Sequence, residues 1–167
     1  EEQKKIYYLC GQSTQRLSKL PQVKTLQEKG FDILLMTDEV DGFVPQGLMQ
    51  YGEKDFCDVA TQDLGLQSEE EKKELEETAK QKKALLDFVK DTLAEKVTQT
   101  RLSSELADQP VNLVSATGMS FEMEKYFKRV NPDMPIPNER ILEMNPEHEA
   151  VKALQKEEEQ RSITVTG

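Results

Sequence analysis

Three carboxylates stand close together after the second predicted strand and are the side chains best suited to metal chemistry. Asp38, Glu39 and Asp41 follow an apolar run over residues 31–36. Ligands of parallel α/β sheets gather at the carboxyl ends of the strands, where these carboxylates are expected to fall. A magnesium-dependent phosphotransfer site that uses Asp38 and Asp41 is therefore one hypothesis. We favour a solvated or helix-capping role, because residues 38–63 hold seven acids and one lysine, and no lysine or threonine is spaced to complete such a site.

The other candidates for catalysis are few. His148 is the only histidine, so this chain alone cannot assemble a Ser-His-Asp, Cys-His or multi-histidine site. Cys10 and Cys57 close their predicted strands, and we interpret them as small buried hydrophobes. The glycines of residues 42–47 have phosphate-loop spacing, but Leu and Met follow where Lys and Ser or Thr must contact phosphate and magnesium. The sequence therefore predicts no catalytic residue and no metal site, and the chain is not expected to be an enzyme.

A stripe of methionine and aromatic side chains near residue 120 is the most informative short pattern. One face of a predicted helix over 119–130 carries Met119, Met123, Tyr126, Phe127 and Val130. Thioethers are flexible and polarisable and aromatic rings bury a large area, a combination suited to surfaces that accept many apolar partners. Packing of the same face on a small sheet is the alternative, and amphipathicity alone favours it.

The composition excludes several classes of partner. The chain has 167 residues, and 22 Lys and Arg against 32 Asp and Glu give a net charge of −10. Such a charge repels a phosphate backbone and anionic lipid, so neither nucleic acid nor a membrane is expected as a partner. No apolar run is long enough to span a bilayer. Two cysteines without CxxC spacing and no signal peptide predict a reducing compartment, the cytoplasm.

The first third of the sequence predicts a right-handed parallel βαβ unit. Strands are expected over residues 6–10 and 31–36, with a helix between them that begins at Pro21 and stops at Gly30. A third strand over residues 55–59 alternates apolar and polar residues as an edge strand does.

After Gln67 the composition changes to Glu, Lys and Gln. Ser68 and Glu71 form a capping box, which predicts the start of a long helix whose apolar stripe lies only in its second half. Beyond it, strands are expected near 98–102, 111–116 and 140–144, and helices over 119–130 and about 146–159. The predicted fold class is α/β: a small parallel βαβ sheet subdomain followed by an α+β module with a small sheet, joined by a long charged helix.

Six short motifs follow one another between about residue 4 and residue 155. In chain order they are Lys5-Ile6-Tyr7-Tyr8-Leu9, Lys29-Gly30-Phe31-Asp32-Ile33-Leu34, Asp38-Glu39-Val40-Asp41, Lys54-Asp55-Phe56, Gly118-Met119-Ser120-Phe121-Glu122-Met123-Glu124-Lys125 and Leu142-Glu143-Met144-Asn145-Pro146-Glu147-His148. Together they resemble the heat shock protein 90 chaperones, and the bacterial high-temperature protein G type is the most similar.

This resemblance implies a fragment of a longer protein. Residues 1–66 would be the last α/β subdomain of the family's middle segment, and residues 67–167 the first part of its C-terminal domain, without the dimerisation helices. The parent would be an ATP-dependent homodimer that binds ATP and Mg²⁺ in an N-terminal domain, with no cofactor in this fragment. Because nothing after Leu154 resembles those helices, the fragment is expected to be monomeric or weakly associated.

The resemblance also implies a function and its residues. Phe43 and Gln46 correspond to an aromatic-bearing helix that contacts unfolded client proteins. Met119, Met123, Tyr126 and Phe127 correspond to the amphipathic client-binding helix of the C-terminal domain. The chain is therefore expected to bind unfolded or partly folded proteins. A third possibility is a structural spacer whose apolar faces are all internal.

Overall fold

The computed structural model describes residues 3–62 and 64–166. Its strands are β1 (Lys5–Cys10), β2 (Ile33–Met36), β3 (Gln50–Tyr51), β4 (Lys54–Asp58), β5 (Gln99–Leu102), β6 (Val111–Ser115) and β7 (Arg140–Met144). Its helices are α1 (Thr14–Leu17), α2 (Pro21–Glu28), α3 (Phe43–Leu48), α4 (Glu69–Gln81), α5 (Lys83–Leu93), α6 (Phe121–Val130) and α7 (Glu149–Thr166). The content is mixed α/β with two small sheets, which confirms the predicted fold class.

Contacts divide the chain into two compact units. The first unit contains residues 1–64 and 115–138, and the second contains residues 65–114 and 139–167. The helix α6 therefore belongs to the first unit although it follows most of the second in sequence. The predicted boundary between residues 66 and 67 concerns the domains of the family, and it stays a prediction.

The sheet of the first unit has the strand order β2-β1-β4-β3. Strand β1 is parallel to both neighbours, with Tyr7 opposite Ile33 on one side and Cys57 on the other. Helix α2 connects β1 to β2 as predicted, beginning at Pro21 and followed by Gly30 at a φ of +76°. A strand covered on both faces suits the continuous apolar run of β1, whose Tyr7, Tyr8 and Leu9 are buried.

Strand β4 differs from the edge position that its alternation predicts. It lies inside the sheet, because β3 folds back antiparallel on its outer side and pairs Tyr51 with Lys54. A tight turn at Gly52, with a φ of +64°, makes this hairpin possible. The two-residue strand β3 therefore forms the edge.

The sheet of the second unit has the order β5-β7-β6, with β5 parallel to β7. Its core is a cluster of buried side chains from two helices and two strands: Leu85, Val89, Leu102, Met144 and Val151. A buried glutamate on β7, Glu143, bridges the three strands through hydrogen bonds to side chains on β5 and β6. Its carboxylate accepts hydrogen bonds from Arg101 Nη2 at 2.6 Å and from Asn112 Nδ2 at 3.2 Å.

The charged stretch after Ser68 is two helices within the second unit, where the sequence predicts one long connecting helix. The chain leaves helical geometry at Lys82, which has a φ of −95° and a ψ of 17°. Helix α4 buries no residue, whereas α5 buries Leu85 and Val89. The break coincides with the start of the part that packs on the core. Among the described residues, no helix has the length and apolar character required to cross a bilayer.

Helices α6 and α7 lie where the sequence predicts them, with shifted ends. Ser120 caps α6 by accepting from the Met123 backbone N–H at 3.3 Å, so the helix begins two residues later than expected. Helix α7 extends to Thr166 and includes most of the segment 161–167 for which the sequence gives no placement. Gly167 lies outside the described residues.

Candidate functional site

The predicted residues on α3 and α6 meet in the first unit, although about eighty positions separate them in sequence. The rings of Phe43, Tyr126 and Phe127 form an aromatic cluster, with centroids 5.4 to 5.9 Å apart. All three pairs are edge-to-face, with interplanar angles of 70° to 86°. Aromatic rings prefer this arrangement, which adds to the free energy gained from burial alone.

Met123 lies beneath this cluster and is buried, with 6% of its surface exposed. Gln46 Nε2 donates to its Sδ at 3.1 Å. The turn before α3 also lies close to Met123, because a Cβ built at Gly42 would be in ordinary van der Waals contact with Met123 Cγ, at 3.6 Å. The resemblance implies that Met123 is accessible to client proteins, and this expectation is wrong, because α3 and the preceding turn cover its side chain.

The remaining predicted residues are more accessible than Met123. Met119, Phe43, Tyr126 and Phe127 are half-buried, and Gln46 is exposed. Val130 continues the stripe by one turn and is exposed. Water therefore reaches both ends of the stripe, Met119 and the aromatic C-terminal half, whereas Met123 at its centre is packed inside.

A surface ion pair borders the aromatic cluster. Both terminal nitrogens of Arg129 bind the carboxylate of Glu39, and its guanidinium lies 5.6 Å from the centroid of the Tyr126 ring. The hydrogen bond from Arg129 lowers the pKa of the Glu39 carboxyl. This contact fixes the turn before α3 against the last turn of α6.

Carboxylates of the acidic segment after β2 bind groups of the protein itself. Glu39 pairs with Arg129, and Asp41 Oδ2 accepts from the backbone N–H of Asp38 at 3.1 Å. Within residues 3–62 and 64–166, no three His, Cys, Asp or Glu side chains are grouped so that they could hold a metal ion. The structure gives the magnesium hypothesis no support.

Cys10 lines a cavity of about 230 Å³ beside the same turn, together with Thr37, Asp38 and Lys125. Burial, followed by the charges of nearby carboxylates with Asp58 first among them, raises the pKa of the Cys10 thiol to about 11. Burial likewise raises the pKa of Asp58. A thiol with this pKa stays protonated at neutral pH, which supports a structural role for Cys10. Cys57 is buried as predicted, whereas Cys10 is half-buried because it lines this cavity.

One acidic residue of α6 is buried. Glu124 lies outside the apolar stripe, yet it is 3% exposed and accepts a hydrogen bond from Ser115 Oγ at 3.0 Å. Helical periodicity cannot predict this burial, because it assigns a glutamate to the polar face, whereas the partner Ser115 lies outside the helix and is brought close only by the fold.

Comparison with known proteins decides the family. The Hsp90 protein family matches residues 1–165 of this sequence. The chain belongs to the Hsp90 family. The resemblance stated from the six motifs is thereby confirmed, and it extends over nearly the whole chain.

Curated Hsp90 relatives include several bacterial chaperones. The chain is 40% identical over 154 residues to the chaperone protein HtpG of Clostridium acetobutylicum, 38% over 155 residues to that of Bacillus subtilis and 40% over 155 residues to that of Clostridium perfringens. These matches cover 92%, 93% and 92% of this chain, respectively, and 24%, 25% and 24% of the relatives. The chain therefore spans about a quarter of the length of the curated relatives it matches.

Proposed function

We propose that this chain binds unfolded or partly folded client proteins through the aromatic surface that α3 and α6 form together. The supporting observation is that Phe43 and the residues Tyr126 and Phe127, which were predicted as two separate surfaces, share one ring cluster. Exposed Gln46 and Val130 flank the cluster. A half-exposed aromatic surface offers apolar contact without demanding a particular partner sequence.

Binding at this surface is expected to be weak and to tolerate many sequences. Covering about 300 Å² of apolar surface gives on the order of 7 kcal/mol at about 25 cal/mol per Å². Ordering an unfolded segment opposes most of that gain. The residual affinity suits a protein that must release what it binds.

The wider activity belongs to the parent protein. We propose that the parent is an ATP-dependent, homodimeric, cytoplasmic chaperone that binds ATP and Mg²⁺ outside the residues of this chain. Neither nucleic acid nor a membrane is a proposed partner, in keeping with the net charge of −10. Support for chaperone activity comes from the family and from relatives named as chaperone HtpG.

A matched pair of substitutions tests client binding. Tyr126 and Phe88 are both half-buried rings with an arginine guanidinium 5.6 Å from the centroid, but Phe88 lies in the second unit. We expect Tyr126→Ser to lower the suppression of aggregation of a chemically denatured reporter protein severalfold, and Phe88→Ser to preserve it. Light scattering measures suppression, and circular dichroism measures the thermal stability of each variant. Equal suppression by wild type and folded Tyr126→Ser would reject the proposal.

A further inference from the structure

Helix α3 has a second apolar face that points away from α6. Phe43 and Gln46 contact α6, whereas Val44 and Leu48, one turn apart, lie on another side of the helix and are more than half exposed. Pro45 is buried and faces the interior. The exposed pair is therefore not the outer margin of the aromatic cluster but a distinct surface.

Met49 extends this face in a strained backbone conformation. Its φ is +61°, a region that non-glycine residues seldom occupy, and its side chain is 70% exposed. Its backbone N–H donates to Pro45 O at 2.8 Å and so ends α3. A glycine at this position would relieve the backbone strain. Because the Met49 side chain is exposed, packing does not explain why a methionine stands here.

Strand β3 continues the same surface as an open edge. Tyr51, at the end of this strand, is 73% exposed. One residue before Gln50, the Met49 carbonyl accepts a hydrogen bond from the Phe56 backbone N–H at 3.0 Å. Hydrogen-bonded and non-hydrogen-bonded pairs alternate in an antiparallel ladder, so the N–H and C=O of Gln50 point away from β4. An extended chain can pair with such an edge.

The charge around this surface selects among extended chains. Residues 38–55 contain five acids and one lysine, and within the described part of the chain Glu39 is the only one of these acids that pairs with an arginine, Arg129. Asp55 stands opposite Gln50 in the ladder, beside the open edge. A segment with basic side chains would meet complementary charge here, and an acidic segment would be repelled.

We propose that Val44, Leu48, Met49 and Tyr51, the outer α3–β3 surface, bind an extended segment of an unfolded protein in which basic residues stand beside apolar ones. This inference rests on the proposed function and defines the class of segment that the chaperone prefers. The apolar side chains of the segment lie on the outer α3–β3 surface, its backbone pairs with Gln50, and its basic groups approach Glu53 and Asp55.

A pair of labelled peptides with the same alternating Val and Thr centre tests charge selection on the 167-residue chain. One peptide carries lysines at both ends, and the other carries glutamates. We expect fluorescence anisotropy to show that the lysine peptide binds about fivefold more tightly, the effect of one or two exposed ion pairs. The difference should shrink in 1 M salt, where the Debye length is about 3 Å. Equal binding of the two peptides would overturn the inference.

A glycine substitution separates binding from stability. Met49→Gly removes the exposed thioether and relieves the backbone, so we expect about fivefold weaker binding of the lysine peptide with an unchanged or raised melting temperature. Ala94→Gly is the matched control, because exposed Ala94 also has a positive φ, of +43°, but lies in the second unit. It should raise stability and leave peptide binding unchanged. Unaltered peptide binding by Met49→Gly would overturn the inference.

The two proposals fail in different ways. If the lysine peptide shows no preference while Tyr126→Ser still lowers aggregation suppression, only the charge-selective surface is rejected. If aggregation suppression is insensitive to Tyr126, the proposed function is rejected. If Met49→Gly changes the sedimentation of the chain and not its affinity for peptide, the outer α3–β3 surface contacts a second copy, and the inference is also overturned.

Discussion

Met123 shows how a side chain suited to a binding surface can instead be part of a core. The sequence correctly predicts that it lies on the apolar face of a helix. It cannot predict what covers that face, because the covering residues Gly42 and Gln46 lie more than seventy positions earlier. Periodicity identifies an apolar face, whereas burial depends on long-range packing.

Burial of Met123 predicts a large loss of stability on substitution with a charge. We expect Met123→Asp to lower the free energy of unfolding by about 3 kcal/mol or more, because an unpaired carboxylate would be buried. Met134→Asp is the control, since Met134 is 39% exposed in the same unit and should change little. Urea unfolding measures both, and a wild-type midpoint for Met123→Asp would show that its side chain is accessible.

Asp58 predicts a dependence of stability on pH. The residue is 4% exposed, and burial raises the pKa of its carboxyl above the value of about 3.9 that it has when unfolded. Between the unfolded and the raised folded pKa, the folded state therefore holds a proton that the unfolded state releases. The stability that protonated Asp58 contributes is full below the unfolded pKa and is lost as pH rises through the folded pKa.

The substitution Asp58→Asn removes this ionisation. It retains an oxygen that can accept from the Ala60 backbone N–H, an acceptor role that Asp58 Oδ1 fills at 2.9 Å. We expect Asp58→Asn to be more stable than wild type at pH 7 by on the order of 1 kcal/mol, with the difference vanishing as pH falls toward 4. Thermal unfolding across this range provides the measurement, and a difference that grows at low pH would contradict the assignment.

At the scale of elements, the sequence predicts where a helix begins or ends when capping residues, proline or glycine mark that position. Pro21 and Gly30 bound the α2 region, and the capping box at Ser68 begins α4, as the sequence predicts. The sequence does not predict the break at Lys82, since lysine is a good helix former and no proline or glycine marks the position. There, packing of α5 on its sheet decides the geometry.

The capping box predicts local loss of order when it is removed. Ser68 Oγ accepts from Glu71 N at 3.2 Å, and Glu71 Oε2 accepts from Ser68 N at 2.7 Å. Because α4 buries no residue, we expect Ser68→Ala to destabilise this helix by about 1 kcal/mol and to accelerate amide exchange in α4 but not in α5. Glu77→Ala, on the exposed middle of α4, should not accelerate exchange at the first turn. Uniform acceleration in both helices would contradict this prediction.

At the scale of the molecule, the sequence predicts the βαβ unit but not the place of α6. Contacts assign residues 115–138, which contain α6, to the unit built by residues 1–64. Local patterns cannot reveal this, because the aromatic cluster joins Phe43 to rings at positions 126 and 127. The two predicted groups of client-binding residues thus become one candidate site only in three dimensions.

This arrangement predicts that residues 1–66 alone expose the apolar surface that α6 covers in the 167-residue chain. We expect this fragment to bind a dye sensitive to apolar surface more strongly than the 167-residue chain, because Gly42, Phe43 and Gln46 lose their partners on α6. A synthetic peptide of residues 115–138 should reverse the excess fluorescence, and the same peptide with Met123→Asp should not. Equal fluorescence of fragment and chain would contradict the arrangement.

The division of the first unit between two distant stretches of chain also sets an order of events on the ribosome. Residues 65–138 need about 4 to 15 s to be translated at about 5–20 residues per second, and until then Phe43 in residues 1–64 lacks its partner rings on α6. For several seconds of its own synthesis, this chain thus exposes an apolar face that chaperones already present in the cell can bind.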